Sequence, residues 1–453
     1  MIADLKPYPA YKDSGVPWLG EVPEHWDVRR MKLLLREVDS RSSSGDEQLL
    51  RVSQYTGVTQ RKVIDGSDEP NTRASSLVGY KRVAVNDLVV NIMLAWNGSM
   101  GVSRYDGIAS PAYCVYRFRN GVRPWYYHEL LRLPVYKGRI KTASTGVVES
   151  RLRLYSDDLG RIEAILPPCD EQDAIVRFLD HADRRIRRYI SIKQKLIKLL
   201  EEQKQAIIHR AVIRGLDSNV RLKPSGVEWL GDVPEHWEVK RLKWVTRLQR
   251  GYDLPADRRI PGPFPVVSSG GIIGTHYQAR STSPGVVMGR YGSTDAVFFI
   301  ETDFWPHNTS LFVTDFQGNR PRWCYFMLRT ISKADHSGKS AVPGVDRKDL
   351  FDINVAVPLP HEQDAIVEGI ISASAELAGA IEAAQREIGL LREYRTRLIA
   401  DVVTGKLDVH AAAAKLPEET DEPEPLDDAE VLIEGDEEIE DTDFSAVPEE
   451  AEA

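Results

Sequence analysis

Three short patterns in this chain carry residue types that do chemistry. Gly338-Lys339-Ser340 has the closing residues of a phosphate-cradling loop, but such a loop needs its first glycine five residues upstream, where Lys333 stands. Asp232, followed by Glu238 and Lys240, has the spacing of a two-carboxylate metal nuclease. The same segment occurs a second time in the chain, and there the matching place reads Asp27-Val28-Arg29, so surface structure is the expectation. Leu166-Pro167-Pro168-Cys169 is the nearest approach to the Asn-Pro-Pro-aromatic loop with which an adenine methyltransferase grips a flipped base, and no nucleotide-cradling Gly-rich turn accompanies it. The ten histidines have no HExxH or paired spacing. The three cysteines, Cys114, Cys169 and Cys324, lie too far apart in sequence for a CxxC knuckle and are expected to be reduced. These readings imply a chain that is not an enzyme and holds no metal or cofactor of its own.

A different chemistry is better represented. Reading double-stranded DNA needs Arg or Lys for guanine, Asn or Gln for adenine, and Ser or Thr as adaptable partners. Loops of that composition recur in two regions. In the first region they hold Gln54 and Tyr55, Arg61 and Lys62, Asn97 with Ser99, and the strip from Ser144 to Arg151. In the second they hold Arg250 with Tyr252, Ser268 and Ser269, Arg290 and Tyr291 with Ser293, and the stretch from His336 to Ser340 that includes Lys339. The set carries more weight than any member, because each residue is also a common turn former.

The elements that must position these loops come in duplicate. SGVPWLGEVPEHWDVRRMK, from Ser14, returns as SGVEWLGDVPEHWEVKRLK, from Ser225. Glu171-Gln172-Asp173-Ala174-Ile175-Val176 returns unchanged as Glu362 to Val367, and AVIRGLD, closing at Asp217, corresponds to DVVTGKLD, closing at Asp408. The second and third repeats share one offset, so the segments between them are equal in length, whereas the regions before them are not. Ile175, Leu179, Ala182, Ile186, Tyr189, Leu196, Leu200, Gln203 and Ile207 follow a coiled-coil seam, as do Leu377, Ile381, Ala384, Ile388, Leu391 and Leu398. Each predicted helix ends at a glycine, Gly215 or Gly405, suited to a left-handed cap. At about 1.5 Å per residue, some 40 residues span roughly 60 Å, a length suited to a spacer, and two such seams in one chain most simply pair antiparallel. The regions at about 30–165 and 240–357 read as mixed α/β with short strands, among them Asp87–Val90, Ala112–Tyr116, Pro265–Val267, Gly285–Met288 and Ser310–Val313. Both hold a Gly-Ser turn after a Val-Val strand, at Gly98-Ser99 and Gly292-Ser293. The tryptophans of the repeated words, Trp18, Trp26, Trp229 and Trp237, are expected in a packed collar, since they recur where the loops differ.

The predicted fold is α+β: two pseudo-symmetric mixed α/β heads joined by two long antiparallel coiled-coil helices. Its expected boundaries are a first head with collar at 1–165, a first spacer at 166–217, a second head with collar at 218–357, a second spacer at 358–412 and an acidic tail at 413–453. The net charge of −9 over 453 residues conceals an uneven distribution. Residues 416–453 hold 18 Asp and Glu and no Lys or Arg, which leaves 50 acidic residues (68 less those 18) against 59 basic ones in the body. A basic body is the electrostatic footprint of a nucleic-acid binder. The tail has the composition of a solubilising, disordered terminus, with competition against DNA as the sharper alternative. No run of roughly 18 apolar residues and no signal-peptide layout is present, so the cytoplasm is the expected location, without a membrane role.

VPWLGEVPEHW, the SSGGIIGTHY stretch after RGYDLP, and PLPHEQDAIV ahead of a coiled coil together resemble the specificity subunits of type I restriction-modification systems, over about residues 11–410. The resemblance implies two target-recognition domains, each reading one half of a split DNA site, and two helices that set the gap and dock two methyltransferase subunits. It also implies that S-adenosylmethionine, ATP and Mg belong to partner subunits, and that restriction subunits complete the complex. A related two-part type II system, or a structural adaptor with no DNA role, are the competing readings. The acidic tail lies outside the family pattern.

Overall fold

The computed structural model describes residues 5–61, 76–146, 152–290, 296–331 and 350–417. The chain divides into two compact units, Met1–Ile192 with Ile388–Ala453, and Lys193–Glu387. The division falls inside both long helices, Cys169–Arg214 and Pro360–Val403.

The first unit is built on a four-stranded antiparallel sheet with spatial order Leu35–Glu37, Tyr113–Phe118, Leu88–Asn91, Met100–Val102. The Leu88–Asn91 strand is buried along its whole length because both faces are covered. Leu88 and Val90 join a large core with Trp26, Met31, Tyr126, Tyr127 and Tyr136, while Val89 points to a smaller cluster with Val52, Val58 and Val115, as the two-residue period of a strand requires. Helices Pro124–Arg132 and Pro134–Ala143 cover the larger core. Each begins with proline in its first turn, and the first stops at Leu133, which is held extended as a residue before proline must be. A hairpin of Leu50–Ser53 and Gly57–Gln60 covers the other face.

The second unit repeats the strand order with different residues: Arg247–Arg250, Ser310–Asp315, Gly285–Gly289, Val297–Ile300, all antiparallel. Val286 and Met288 face a core containing Trp237, Trp323 and Leu328, and Val287 faces a cluster with Val267, Phe304 and Phe312. A three-stranded sheet of Gly271–His276, Phe264–Ser268 and Trp305–Pro306 stands in place of the first unit's hairpin. The five sequence-predicted strand runs therefore fall on strands.

Each unit also holds a two-stranded collar, Tyr11–Asp13 with Glu21–Pro23 and Leu222–Pro224 with Asp232–Pro234. A further pair joins the strand after each collar to the strand before a long helix: Asp27–Arg30 with Glu163–Leu166, and Glu238–Arg241 with Asn354–Val357. Glu238 and Lys240 form an ion pair with each other at the surface. Of the predicted seam, Ile175, Leu179, Ala182 and Ile186 are buried, as are Ala384, Ile388 and Leu398. Tyr189 and Leu196 are exposed instead, and burial resumes at Ile208, Ala211 and Val212, one position later than the heptad spacing places it. A straight helix drifts about 20° per heptad from a strict seven-residue repeat, which carries the apolar stripe out of register over this length.

Candidate nucleic-acid interface

The repeated words of the sequence meet one another in space. In the first unit Glu171, in the opening turn of its helix, accepts hydrogen bonds from the Trp26 indole Nε1 at 2.7 Å and the Tyr8 hydroxyl at 2.9 Å, and lies 2.5 Å from His25 Nε2. Burial and the Glu171 charge push the Tyr8 phenol well up, so it stays a donor. The next residue, Gln172, is fully buried: its amide donates to Pro167 O and accepts from the Arg123 backbone, while Asp173 pairs with the Arg123 guanidinium. Trp26 also packs against Gly405, the left-handed cap of the other long helix, where φ is +77° and an added Cβ would stand 2.8 Å from the indole.

The second unit builds the same clasp. Glu362 lies 2.7 Å from His236 Nε2 and 3.5 Å from Trp237 Nε1; Gln363 bonds Pro358 O and the Arg320 backbone; Asp364 pairs with Arg320. Burial works to raise the Glu362 pKa, but the His236, Leu359 and Trp237 bonds outweigh it and hold the carboxyl below its usual range. Trp237 packs on the cap Gly215, where an added Cβ would stand 3.3 Å from the indole. In both units one tryptophan thus joins the start of one long helix to the end of the other. Trp18 and Trp229 are partly buried against the same cores. The four collar tryptophans serve packing.

The candidate DNA-reading loops stand at one end of each central sheet. In the first unit Arg132 gathers them: its guanidinium donates to the carbonyls of Gln54, Tyr55 and Met100, and more weakly to Gly98 O at 3.4 Å. This brings the Gln54-Tyr55 turn beside the Asn97–Ser99 turn. His128 supports them from below, its Nδ1 accepting the Val102 N–H at 3.1 Å; burial and then the nearby Arg132 and Arg104 charges push its pKa down to about 3, so it is neutral. Tyr55 is exposed, Gln54 and Asn97 are half-buried, and Arg61 is half-buried at the hairpin end with its backbone bonded to Leu49. Ser99 is buried, and its hydroxyl donates to Asn97 Oδ1 at 2.8 Å.

In the second unit the gathering element is His307-Asn308-Thr309. Arg250 Nε donates to Asn308 O at 3.2 Å, the Tyr252 N–H to Pro306 O, the Ser269 N–H to Thr309 Oγ1 and the Arg290 N–H to Thr309 O. Gly251 is required here, since a Cβ would stand 2.1 Å from His307 O. Burial, ahead of the Arg259 charge, lowers the His307 pKa. Arg250 and Tyr252 are exposed and Ser269 and Arg290 half-buried, while Ser268 is buried with its hydroxyl donating to Gly271 O. Lys62, Arg151, Tyr291, Ser293 and Lys339 lie outside the described residues, as does the rest of the Gly338-Lys339-Ser340 pattern.

Sequence reasoning missed Arg132, the 307–309 loop, and Arg280, whose guanidinium stands over the rings of Trp305 and Tyr252. The run Pro306-His307-Asn308-Thr309-Ser310 between apolar strands was the available signal for the loop; nothing local marks the arginines. Among the described residues no group of three or more His, Cys, Asp or Glu is placed to hold a metal ion, and no helix is long and apolar enough to cross a membrane.

Fold and site together define an α+β protein that presents two different polar loop clusters on two like-built units, each clasped to both long helices. Two relatives bear the name of type I restriction specificity subunits. A 239-residue stretch is 25% identical to the type I restriction enzyme MjaVIII specificity subunit of Methanocaldococcus jannaschii, covering 51% of this chain and 51% of that protein, so the chain spans about half the length of this relative. A 423-residue alignment, 86% of this chain and 96% of the relative, is 21% identical to the putative type I restriction enzyme MjaX specificity subunit of the same organism. No family model matches the chain. Among solved structures, a chain from a study of complex assembly and conformational transition of the type I R-M system superposes with a TM-score of 0.62 at 14% identity, over 85% of this chain and 99% of that one. The likeness to type I specificity subunits read from the repeated words therefore extends over most of the chain.

Proposed function

We propose that this chain is the DNA-specificity subunit of a type I restriction-modification complex, and that each loop cluster reads one half of an asymmetric, interrupted DNA site. The observation that carries the reading is the pair of units: the same strand order and the same Glu-Trp clasp to the long helices, with largely different residues in the loops described. Duplicated scaffolds with unlike loops suit two unlike half-sites. In this reading 1–165 and 218–357 hold the two recognition domains, and 166–217 and 358–412 the spacers, paired antiparallel as a coiled coil about a pseudo-two-fold axis. The spacers set the gap between half-sites, about one helical turn of DNA or roughly 34 Å from centre to centre.

The helices also offer methyltransferase subunits a docking face. In the first unit Tyr189, Ile192, Leu390 and Tyr394 are exposed on them, and in the second Leu196, Leu199 and Ile371. At helical spacing such side chains line one face, and contiguous exposed apolar patches mark partner surfaces. The partners supply S-adenosylmethionine and transfer the methyl group to adenine, and restriction subunits supply the ATP- and Mg-dependent steps; this chain directs them and catalyses nothing.

Two variants test the division of labour. Tyr55→Ala, at the tip of the first unit's hairpin, is expected to change recognition of one half-site, and Arg250→Ala that of the other, read by sequencing methylated adenines in a host that also expresses the methyltransferase. Loss of both halves together from either variant would contradict the split.

A further inference from the structure

We infer that Arg280 reads a guanine in the half-site recognised by the second unit; this rests on the DNA-reading role proposed for that unit's loop cluster. The Arg280 guanidinium carbon lies 5.1 Å from the Trp305 ring centroid and 5.8 Å from that of Tyr252. Both rings are themselves fixed: the Trp305 indole N–H donates to Tyr252 O at 3.2 Å, and the Tyr252 N–H is bonded to Pro306 O at 2.8 Å. The backbone beneath Arg280 is pinned as well, since the N–H groups of Arg280 and Ser281 both donate to Phe304 O and the Phe304 N–H returns to Ser281 O.

Neighbouring arginines spend at least one donor on the protein's own carbonyls. Arg250 bonds Asn308 O, and Arg259 bonds Leu254 O and Ile273 O. The Arg280 side chain is exposed, and among the described residues its guanidinium has ring contacts with Trp305 and Tyr252 and no hydrogen bond or ion pair. A cation–π contact holds the guanidinium by its charge and leaves its N–H donors available for hydrogen bonds. A guanidinium fork set beside two fixed rings matches the paired O6 and N7 acceptors of guanine in the major groove, whereas adenine places an N–H donor where the second acceptor must be. Neutralising a phosphate requires charge alone and no such anchoring.

The test uses the full chain with its methyltransferase partner. Arg280→Ala and Arg280→Gln are compared with wild type by sequencing methylated adenines across the host genome, and by methylation of duplexes carrying single base-pair changes at a series of salt concentrations. The expected result is relaxation at one G·C position of one half-site, discrimination there falling about 5- to 150-fold, with the other half-site unchanged. Arg280→Lys, which keeps the charge and loses the planar fork, is expected to relax the same position. Uniform weakening at every sequence, with a salt slope shallower by about one, would make Arg280 a phosphate contact and overturn the inference. An unchanged motif, or relaxation at an A·T pair, would overturn it as well. If wild type directs no split motif at all, the proposed function fails first, a result distinct from any produced by the variants alone.

Discussion

At Glu171 one buried carboxylate serves three side chains, and the energetic consequence is asymmetric between the two units. Glu171→Ala leaves the Trp26 indole and the Tyr8 hydroxyl without their acceptor, at roughly 1–3 kcal/mol for each buried donor. Glu362 has one close side-chain partner, His236, in a more exposed setting, besides the Leu359 N–H at 3.1 Å, and the Trp237 contact at 3.5 Å is at the limit of a hydrogen bond. Equilibrium unfolding should therefore show Glu171→Ala as the more damaging of two chemically identical changes. Equal losses would mean that the clasp contributes packing and little hydrogen bonding. The collar tryptophans could be read from sequence because they recur where the loops diverge. The placement of Arg280 could not: it lies 25 residues from Trp305 and 28 from Tyr252, and only the folded chain brings the three together.

The long helices show how far periodicity reaches. Ile175 to Ile186 and Ala384 to Leu398 were legible because apolar spacing coincides there with burial. Tyr189 and Leu196 continue the same spacing on an open face, since spacing alone does not say what covers a stripe. The glycine caps were legible too, and the structure adds a difference between them. At Gly405 an alanine Cβ would stand 2.6 Å from the Pro23 ring and 2.8 Å from Trp26, whereas at Gly215 the nearest atom, on Trp237, is 3.3 Å away. Both positions have positive φ, so each alanine carries a backbone cost of about 1–2 kcal/mol, and only Gly405→Ala adds a steric conflict with ring atoms. Thermal unfolding is expected to rank Gly405→Ala below Gly215→Ala. The reverse order would show that the Trp26 collar can give way. Ser99 and Ser268 illustrate the opposite limit, since residue type marks an adaptable hydrogen-bonding group without showing that a turn already uses it.

For the whole molecule, the account holds that heads choose bases and helices choose spacing. Removing one turn from each long helix, within the stretches carrying Leu196–Leu199 and Ile371–Ser374, is expected to change the number of unspecified base pairs while leaving both half-sites as they were. A motif with altered bases and the same gap would invert those roles. That this chain supplies sequence choice to a partner that methylates is tested most directly by mapping methylated adenines in a host expressing the proposed methyltransferase partner with and without this chain. The account predicts methylation at one asymmetric, interrupted motif that vanishes when only this chain is removed. Methylation that persists unchanged in its absence would contradict it.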